Sequence, residues 1–261
     1  MADRIAASHT VLFDLDGTLT DPRIGITGSV AYALAKFGIS VDDPHRTLTP
    51  FIGPPLLESF EKYYGFSRDE ARRALAYYRE YFAPTGIFEN TVYPGIPEAL
   101  QELRAAGRRL CVATSKPEVY ARRILEHFSL DSCFDAVCGA TLDETRVRKA
   151  DVIAYALETL GTEPDAAVMV GDRLHDIEGA HARGLPALGV TYGYGSRNEL
   201  TAGGADALAD TPADAVRVLL GRSSWRRPTH PPPKNDISGS RAYRKAQQYC
   251  IIKEARRKNH D

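Results

Sequence analysis

Two aspartates one residue apart, Asp14 and Asp16, close the apolar run at residues 11–13 and are followed by Gly17 and Thr18. Carboxylates that close resist joint ionisation unless a cation or a shared proton is present. Three further stretches carry chemistry of a matching kind. The run "RRLCVATS" ends in Thr114 and Ser115, with Lys116 next; Lys149 opens a helical pattern; and "MVGDRLHD" carries Asp172 and Asp176. Several carboxylates at one locus repel unless they hold a hard cation, and carboxylate, carbonyl and water oxygens are the ligand set of Mg²⁺. Lysine and hydroxyl donors suit a phosphoryl group, whose developing charge needs fixed donors. Together these residues describe a phosphoryl-transfer site. Each also has a plainer reading. Asp14 and Asp16 could cap a turn, Thr114 could cap a helix before Pro117, Lys149 could belong to a solvated run with Arg146 and Arg148, and Asp176 could favour a helix N-terminus. His175, between the motif positions, is expected to be exposed rather than catalytic.

Such residues meet only if the chain brings their strand ends together. The runs "HTVLFDL", "RRLCVATS", "FDAVCG", "AAVMVGD" and "PALGVTYG" alternate with helical patterns, and the first, second and fourth are continuously apolar, as strands buried on both faces are. That alternation predicts an α/β fold with a doubly wound parallel sheet, in which groups at the carboxyl ends of strands converge on one crevice. Helices are expected over "PGIPEALQELRAAG", "KPEVYARRILEHF" and "KADVIAYALETLG", with Gly107 and Gly161 as stops. Gly17 and Gly171 are expected to permit close backbone approach at the site.

Between Asp16 and Arg108 lies a gap far longer than a βα connection needs. It reads helical in "GITGSVAYALAKFG", "PLLESFEKYYG" and "SRDEARRALAYYREYF". The expected organisation is a core of residues 1–21 and 92–221, a helical cap over 22–91, and a tail over 222–261. The tyrosines of the insertion (Tyr63, Tyr64, Tyr77, Tyr78, Tyr81) read as core and hinge-face residues. Arg23, Gly53, Pro54 and Pro55 are expected to face the crevice.

The tail differs in kind: residues 222–261 hold 11 Lys or Arg against 3 Asp or Glu, while residues 1–221 hold 22 against 31. Three successive prolines, Pro231 to Pro233, forbid a helix there. A solvated, disordered tail is expected, with a nucleic-acid or acidic-partner arm as the alternative and an amphipathic helix from Ser240 to Lys258 within it. No signal-peptide pattern or bilayer-spanning run occurs, so a soluble cytoplasmic protein is expected. Cys111, Cys133, Cys138 and Cys250 show no CxxC or metal-ligand spacing and read as reduced and structural. Nothing in the residues specifies an oligomeric state.

The segments "FDLDGTLTD", "VATSK", "RKADVI" and "VGDRLHDIEGA" resemble, in order, the four motifs of the haloacid dehalogenase superfamily, and the insertion sits where its helical cap sits. "TDPRIGITGSV", "FIGPPL", "TSKP" and "TYGYGSRNEL" look most like its phosphoglycolate phosphatase-like branch. The resemblance implies a Mg²⁺-dependent phosphatase of small phosphomonoesters, with a 5′-nucleotidase or pyrophosphatase preference as the alternative. It implies Asp14 as nucleophile and Asp16 as proton shuttle. Mg²⁺ would be held by the Asp14 carboxylate, the Asp16 backbone carbonyl and Asp172. Thr114, Ser115, Gly17, Thr18 and Lys149 would hold the phosphoryl group, with Asp176 and Lys116 supporting. Dehalogenases lack an acid two residues after the nucleophile, so Asp16 argues against carbon–halogen cleavage. The cap lysines Lys36 and Lys62 match no Schiff-base motif of the phosphonate-cleaving members.

Overall fold

The computed structural model describes residues 2–143 and 145–222. A short helix, α1 (Ala2–Ala7), leads into β1 (Thr10–Phe13), whose four residues are all buried, as its unbroken apolar run requires of a strand covered on both faces. A turn and the two-residue β2 (Thr20–Asp21) carry the chain into a helical insertion: α2 (Arg23–Ala35), α3 (Pro44–Thr47), α4 (Leu56–Tyr64) and α5 (Arg68–Tyr81), closed by a π-helical turn at Phe82–Gly86. Ser67 and Glu70 form a reciprocal capping box that starts α5, and Gly65 in the left-handed region ends α4. The chain returns through β3 (Thr91–Val92), antiparallel to β2, so the insertion has paired entry and exit strands.

The core then alternates: α6 (Ile96–Ala105), β4 (Arg109–Pro117), α7 (Glu118–His127), β5 (Ala136–Ala140), α8 (Lys149–Leu160), β6 (Ala167–Gly171), α9 (Leu174–Ala182), β7 (Ala187–Val190), α10 (Arg197–Ala202), β8 (Ala207–Ala209) and α11 (Pro212–Leu219). Six strands form one sheet in the order β5-β4-β1-β6-β7-β8, and every pair is parallel. The chain winds outward from β1 on one side and returns to wind outward on the other. The crevice at the carboxyl end of β1 is therefore a topological switch point, where open α/β sheets place ligands. Three-residue β8 lies outside the five expected strands because "ALA" carries no periodic signal.

Alternation along β1 divides the core. Val11 and Phe13 face a cluster that continues into the insertion through Leu34, Phe51 and Phe60, while Leu12 faces a second cluster with Cys111, Met169, Ile153 and Ile177. The insertion has aromatic packing of its own, with Phe37 and Phe66 ring centroids 4.7 Å apart and Phe51 and Phe60 5.1 Å apart. Tyr63, Tyr64 and Tyr77 pack partly buried against this cluster, Tyr78 is fully inside it, and Tyr81 donates to Glu89. Cys111 and Cys138 are buried free thiols 3.9 Å apart on neighbouring strands. No described helix is long and apolar enough to cross a membrane. Nearly all of the basic tail, including the pattern from Ser240 to Lys258 and Cys250, lies outside the described residues.

Candidate active site

The strand ends do converge. Asp14 follows β1, and its N–H donates to Val170 O of β6 at 2.9 Å. The next turn depends on Gly17: at φ +88° it lies so close to β6 that a Cβ would fall 2.3 Å from Asp172 Oδ2. Gly171 is equally constrained, since a Cβ there would sit 2.2 Å from Asp176 Cγ. Asp14, Asp16, Asp172 and Asp176 are all buried. Oxygens of Asp14, Asp172 and Asp176 lie within 4.8 Å of one another. Lys149, buried at the start of α8, places Nζ 2.8 Å from Asp14 Oδ1, 2.8 Å from Asp176 Oδ1 and 3.1 Å from Ala113 O. Lys116 turns the other way, with Nζ 2.5 Å from Asp16 Oδ2 and 4.8 Å above the Phe82 ring of the insertion.

Electrostatics follow from burial. Desolvation raises the Asp172 carboxyl well above its ordinary range, and Asp176 and Asp14 push it further. Asp176 is raised by burial against the pull of Lys149, and Asp16 by burial against the pull of Lys116. Burial disfavours the Lys149 ammonium, yet Asp14 and Asp176 outweigh it and raise its pKa. Four carboxylates thus face two ammonium groups. Asp16 Oδ1 is buried without a hydrogen bond, and Asp14 Oδ1 and Asp176 Oδ1 meet Lys149 as charge contacts without an aligned one. Hard oxygens with spare lone pairs and excess negative charge fit a divalent cation.

The raised Asp172 pKa makes this testable. Its stabilising contribution is complete below the ordinary value of 3.8 and is lost as pH rises through the elevated folded value. Cation binding should therefore restore more at pH 8 than at pH 5. A divalent cation held at one concentration, 100 times its Kd at pH 8, would add about 2.7 kcal/mol there, roughly 5–10 °C in melting temperature for a chain of this size. Thermal melts should show that rise, and Asp172→Asn should lose most of it. A flat response to divalent cations such as Mg²⁺ would remove the cation from the site.

Thr114 is buried in β4 where the strand's register becomes irregular, three residues before its end, and its Oγ1 accepts from Lys116 N at 3.2 Å, which holds the hydroxyl in place. Ser115 lines the same crevice. Thr18 donates to Asp172 Oδ1 at 3.4 Å. His175 is exposed, as its position suggested. Between crevice and insertion lies a chamber of about 380 Å³ whose walls include Asp14, Asp16, Thr114 and, from the insertion, Tyr78 and Phe82. Gly53, Pro54 and Pro55 line it as expected, whereas Arg23 does not. Asp21 captures Arg23 at the insertion's entry, accepting from its backbone N–H at 3.0 Å and meeting its guanidinium at 3.7 Å. Lys36 and Lys62 lie over Tyr32 and Tyr63 and are not among the lining residues.

Residues of the "TYGYGSRNEL" segment, none of them expected as site residues, hold the site together. Tyr194 N donates to Asp172 Oδ2 at 2.7 Å, its hydroxyl bonds Asp21, and the Tyr192 hydroxyl donates to Thr18 O at 3.0 Å. The Tyr-Gly-Tyr-Gly run was a usable signal. A Cβ at Gly195 would lie 1.8 Å from Asp172 O, so the loop can press on Asp172 only with glycine there.

The model of the haloacid dehalogenase-like hydrolases matches residues 11–190, which takes in the insertion and the ends of β1, β4 and β6. The chain belongs to that family. Among curated proteins, a 5′-nucleotidase from Pseudomonas aeruginosa is 49% identical over 77% of this chain and 91% of its own length. A phosphoglycolate phosphatase from Rhodospirillum rubrum is 37% identical over 77% of this chain and 86% of its own. The crystal structure of a predicted phosphatase from Clostridium acetobutylicum superposes with a TM-score of 0.80 at 48% identity, covering 82% of this chain and 99% of that one. This haloacid dehalogenase-like hydrolase thus shares its fold with the Clostridium acetobutylicum protein over nearly all of that protein's length.

Proposed function

We propose that the protein is a Mg²⁺-dependent phosphatase of small soluble phosphomonoesters, resembling phosphoglycolate phosphatase, with residues 22–91 acting as a cap over the crevice. The observation that carries this reading is the buried pairing of Asp14 with Lys149, itself paired with Asp176, beside a second acid, Asp16, in the wall of the chamber. Asp14 attacks phosphorus, the bond to the ester oxygen breaks, and Asp16 gives that oxygen a proton. Asp16 then takes a proton from water, which attacks the aspartyl phosphate and releases phosphate. Asp14, Asp172 and the Asp16 backbone carbonyl would hold Mg²⁺, which supplies charge neutralisation at the phosphoryl oxygens when bound. Thr114 and Ser115 donate to the phosphoryl group, whereas the expected donors Gly17 and Thr18 spend their backbone N–H groups on Thr20 O at 2.7 Å and Leu15 O at 3.3 Å and shape the turn instead. Lys149 balances the Asp14 charge, Asp176 orients Lys149, and Lys116 supports Asp16.

A nucleoside monophosphate is the second reading. About 380 Å³ with Tyr78 and Phe82 in its walls is room for a flat leaving group larger than glycolate. A panel of metabolite phosphates with Mg²⁺, including phosphoglycolate, nucleoside monophosphates and pyrophosphate, separates these. No turnover of any member or of an aryl phosphate would reject the phosphatase reading. The reading places the enzyme in the cytoplasm, where neighbouring thiols such as Cys111 and Cys138 stay reduced.

The charge of residues 222–261 supports one addition, a nucleic-acid or acidic-partner arm. Truncation after Gly221 is expected to leave kcat/KM within about twofold and to abolish any salt-sensitive binding to nucleic acid. Equal binding by truncated and full chains in a filter or anisotropy assay would reject the arm.

A further inference from the structure

Arg173 directly follows Asp172, and its side chain leaves the core for the cap. Nη1 donates to Ile52 O at 2.7 Å, and Nε donates to Glu199 Oε1 at 2.8 Å. The same carboxylate oxygen accepts from Leu174 N at 3.0 Å, which ties the first turn of α9 to α10. Glu199 is itself placed by the cap of α10, where its N–H donates to Ser196 Oγ at 3.0 Å. The cap loop rests on the arginine: at φ +102°, Gly53 would put a Cβ 3.2 Å from both Arg173 Cγ and Nη1. Ile52 is fully buried, and Gly53, Pro54 and Pro55 continue from it as chamber wall.

This contact does more than cap a helix. The Arg173 backbone N–H is already satisfied by Asp176 Oδ2 at 3.0 Å, so α9 does not need the guanidinium to start. A guanidinium offers donors in a fixed fork and can bridge two acceptors in different directions, which an ammonium on a flexible stem does poorly. Here one acceptor is an anchored carboxylate of the core and the other a neutral carbonyl of the cap. A charge-assisted bond to a neutral acceptor is strong enough to bias where a loop sits and weak enough to break and remake in each turnover. A second contact between insertion and core, Arg79 donating to Leu142 O at 3.3 Å, is a longer bond between exposed groups.

We propose that Arg173 is a positioning residue that couples the seating of cap loop 52–55 over the leaving-group chamber to the loop carrying Asp172. Its loss loosens the wall that holds the leaving group and leaves Asp14, Asp16 and Lys149 in place, so it raises KM rather than lowering kcat. The kinetic arm of this inference rests on the phosphatase reading; the structural arm does not.

The test uses the full chain and Arg173→Met, which keeps the aliphatic stem and removes the donors. Amide hydrogen exchange at Phe51, Ile52 and Gly53 is expected to speed up at least about tenfold while the β6 amides stay unchanged, the pattern of a local opening. KM for the best ester in the substrate panel is expected to rise about tenfold with kcat within about threefold, the split that loss of uniform binding gives. Arg173→Lys is expected not to restore the wild-type KM, because one ammonium cannot hold both acceptors. If Arg173→Met cannot be purified folded, Glu199→Gln carries the same readouts in the same direction. Unchanged exchange at 51–53, or a fall in kcat at constant KM, overturns the proposal. If the wild type turns over no ester, the phosphatase reading fails and the exchange result alone decides for or against Arg173.

Discussion

Replacing Asp14 with asparagine is expected to lower kcat by at least about 10⁴-fold, the scale on which removal of a covalent nucleophile acts. Asparagine keeps the shape of the side chain and its room beside Lys149 but offers phosphorus no anionic oxygen. The loss should not come from misfolding. Burial raises the Asp172 and Asp176 carboxyls and the charge of Asp14 raises both further, so deleting that negative charge relieves repulsion in the apo cluster. Lys149 still has Asp176 at 2.8 Å and Ala113 O at 3.1 Å. The melting temperature of Asp14→Asn without added cation is thus expected to equal or exceed that of the wild type. Two measurements decide: steady-state turnover of an aryl phosphate, and acid-quenched phosphoenzyme after mixing with labelled ester, which the wild type should show and Asp14→Asn should not. Turnover within tenfold of wild type would mean that a group other than Asp14 attacks phosphorus.

What could be read in the chain and what could not divides by sequence distance. Asp14, Thr114 and Asp172 each stand at the end of an apolar run, so one rule, that parallel strands deliver their carboxyl ends to a common crevice, was enough to bring them together. Gly17 and Gly171 were legible for a related reason: each flanks a motif aspartate, and each has no room for a Cβ. Lys149 was legible as a charge at the start of a helical pattern, though only the structure puts it between Asp14 and Asp176. The supporting contacts obey no such rule. Arg173 reaches Ile52 across 121 residues, Tyr194 reaches Asp21 across 173, and Lys116 meets Phe82 only because the cap packs on the crevice. Arg23 was misplaced by the opposite effect, since a local partner two residues away holds it outside the chamber. Local pattern thus locates the groups that the proposed reaction places around phosphorus. The shape of the chamber depends on how two separately patterned units meet, which no single stretch encodes.

Asp16→Asn is expected to discriminate between substrates by their leaving groups. Burial holds the Asp16 carboxyl protonated to higher pH than an exposed aspartate, while Lys116 pulls the other way. Protonation of a leaving oxygen is worth roughly 10²–10⁴-fold when that oxygen is a poor leaving group and much less when it is a good one. Alkyl phosphates from the metabolite panel should therefore lose about 10³-fold in kcat/KM, and an aryl phosphate at least about tenfold less. A second effect runs in parallel and must be separated. Removing the carboxylate leaves the buried Lys116 ammonium without its partner, at a cost of about 3–5 kcal/mol in stability, and that loss would appear in a melt. A purely structural defect lowers the fraction of competent enzyme and scales every substrate alike. Acid catalysis changes the ratio between substrates. The double variant Asp16→Asn/Lys116→Met removes both charges, so it should recover much of the stability while keeping the leaving-group dependence. Equal losses for alkyl and aryl phosphates in both variants would take the proton shuttle away from Asp16 and leave it the structural partner of Lys116.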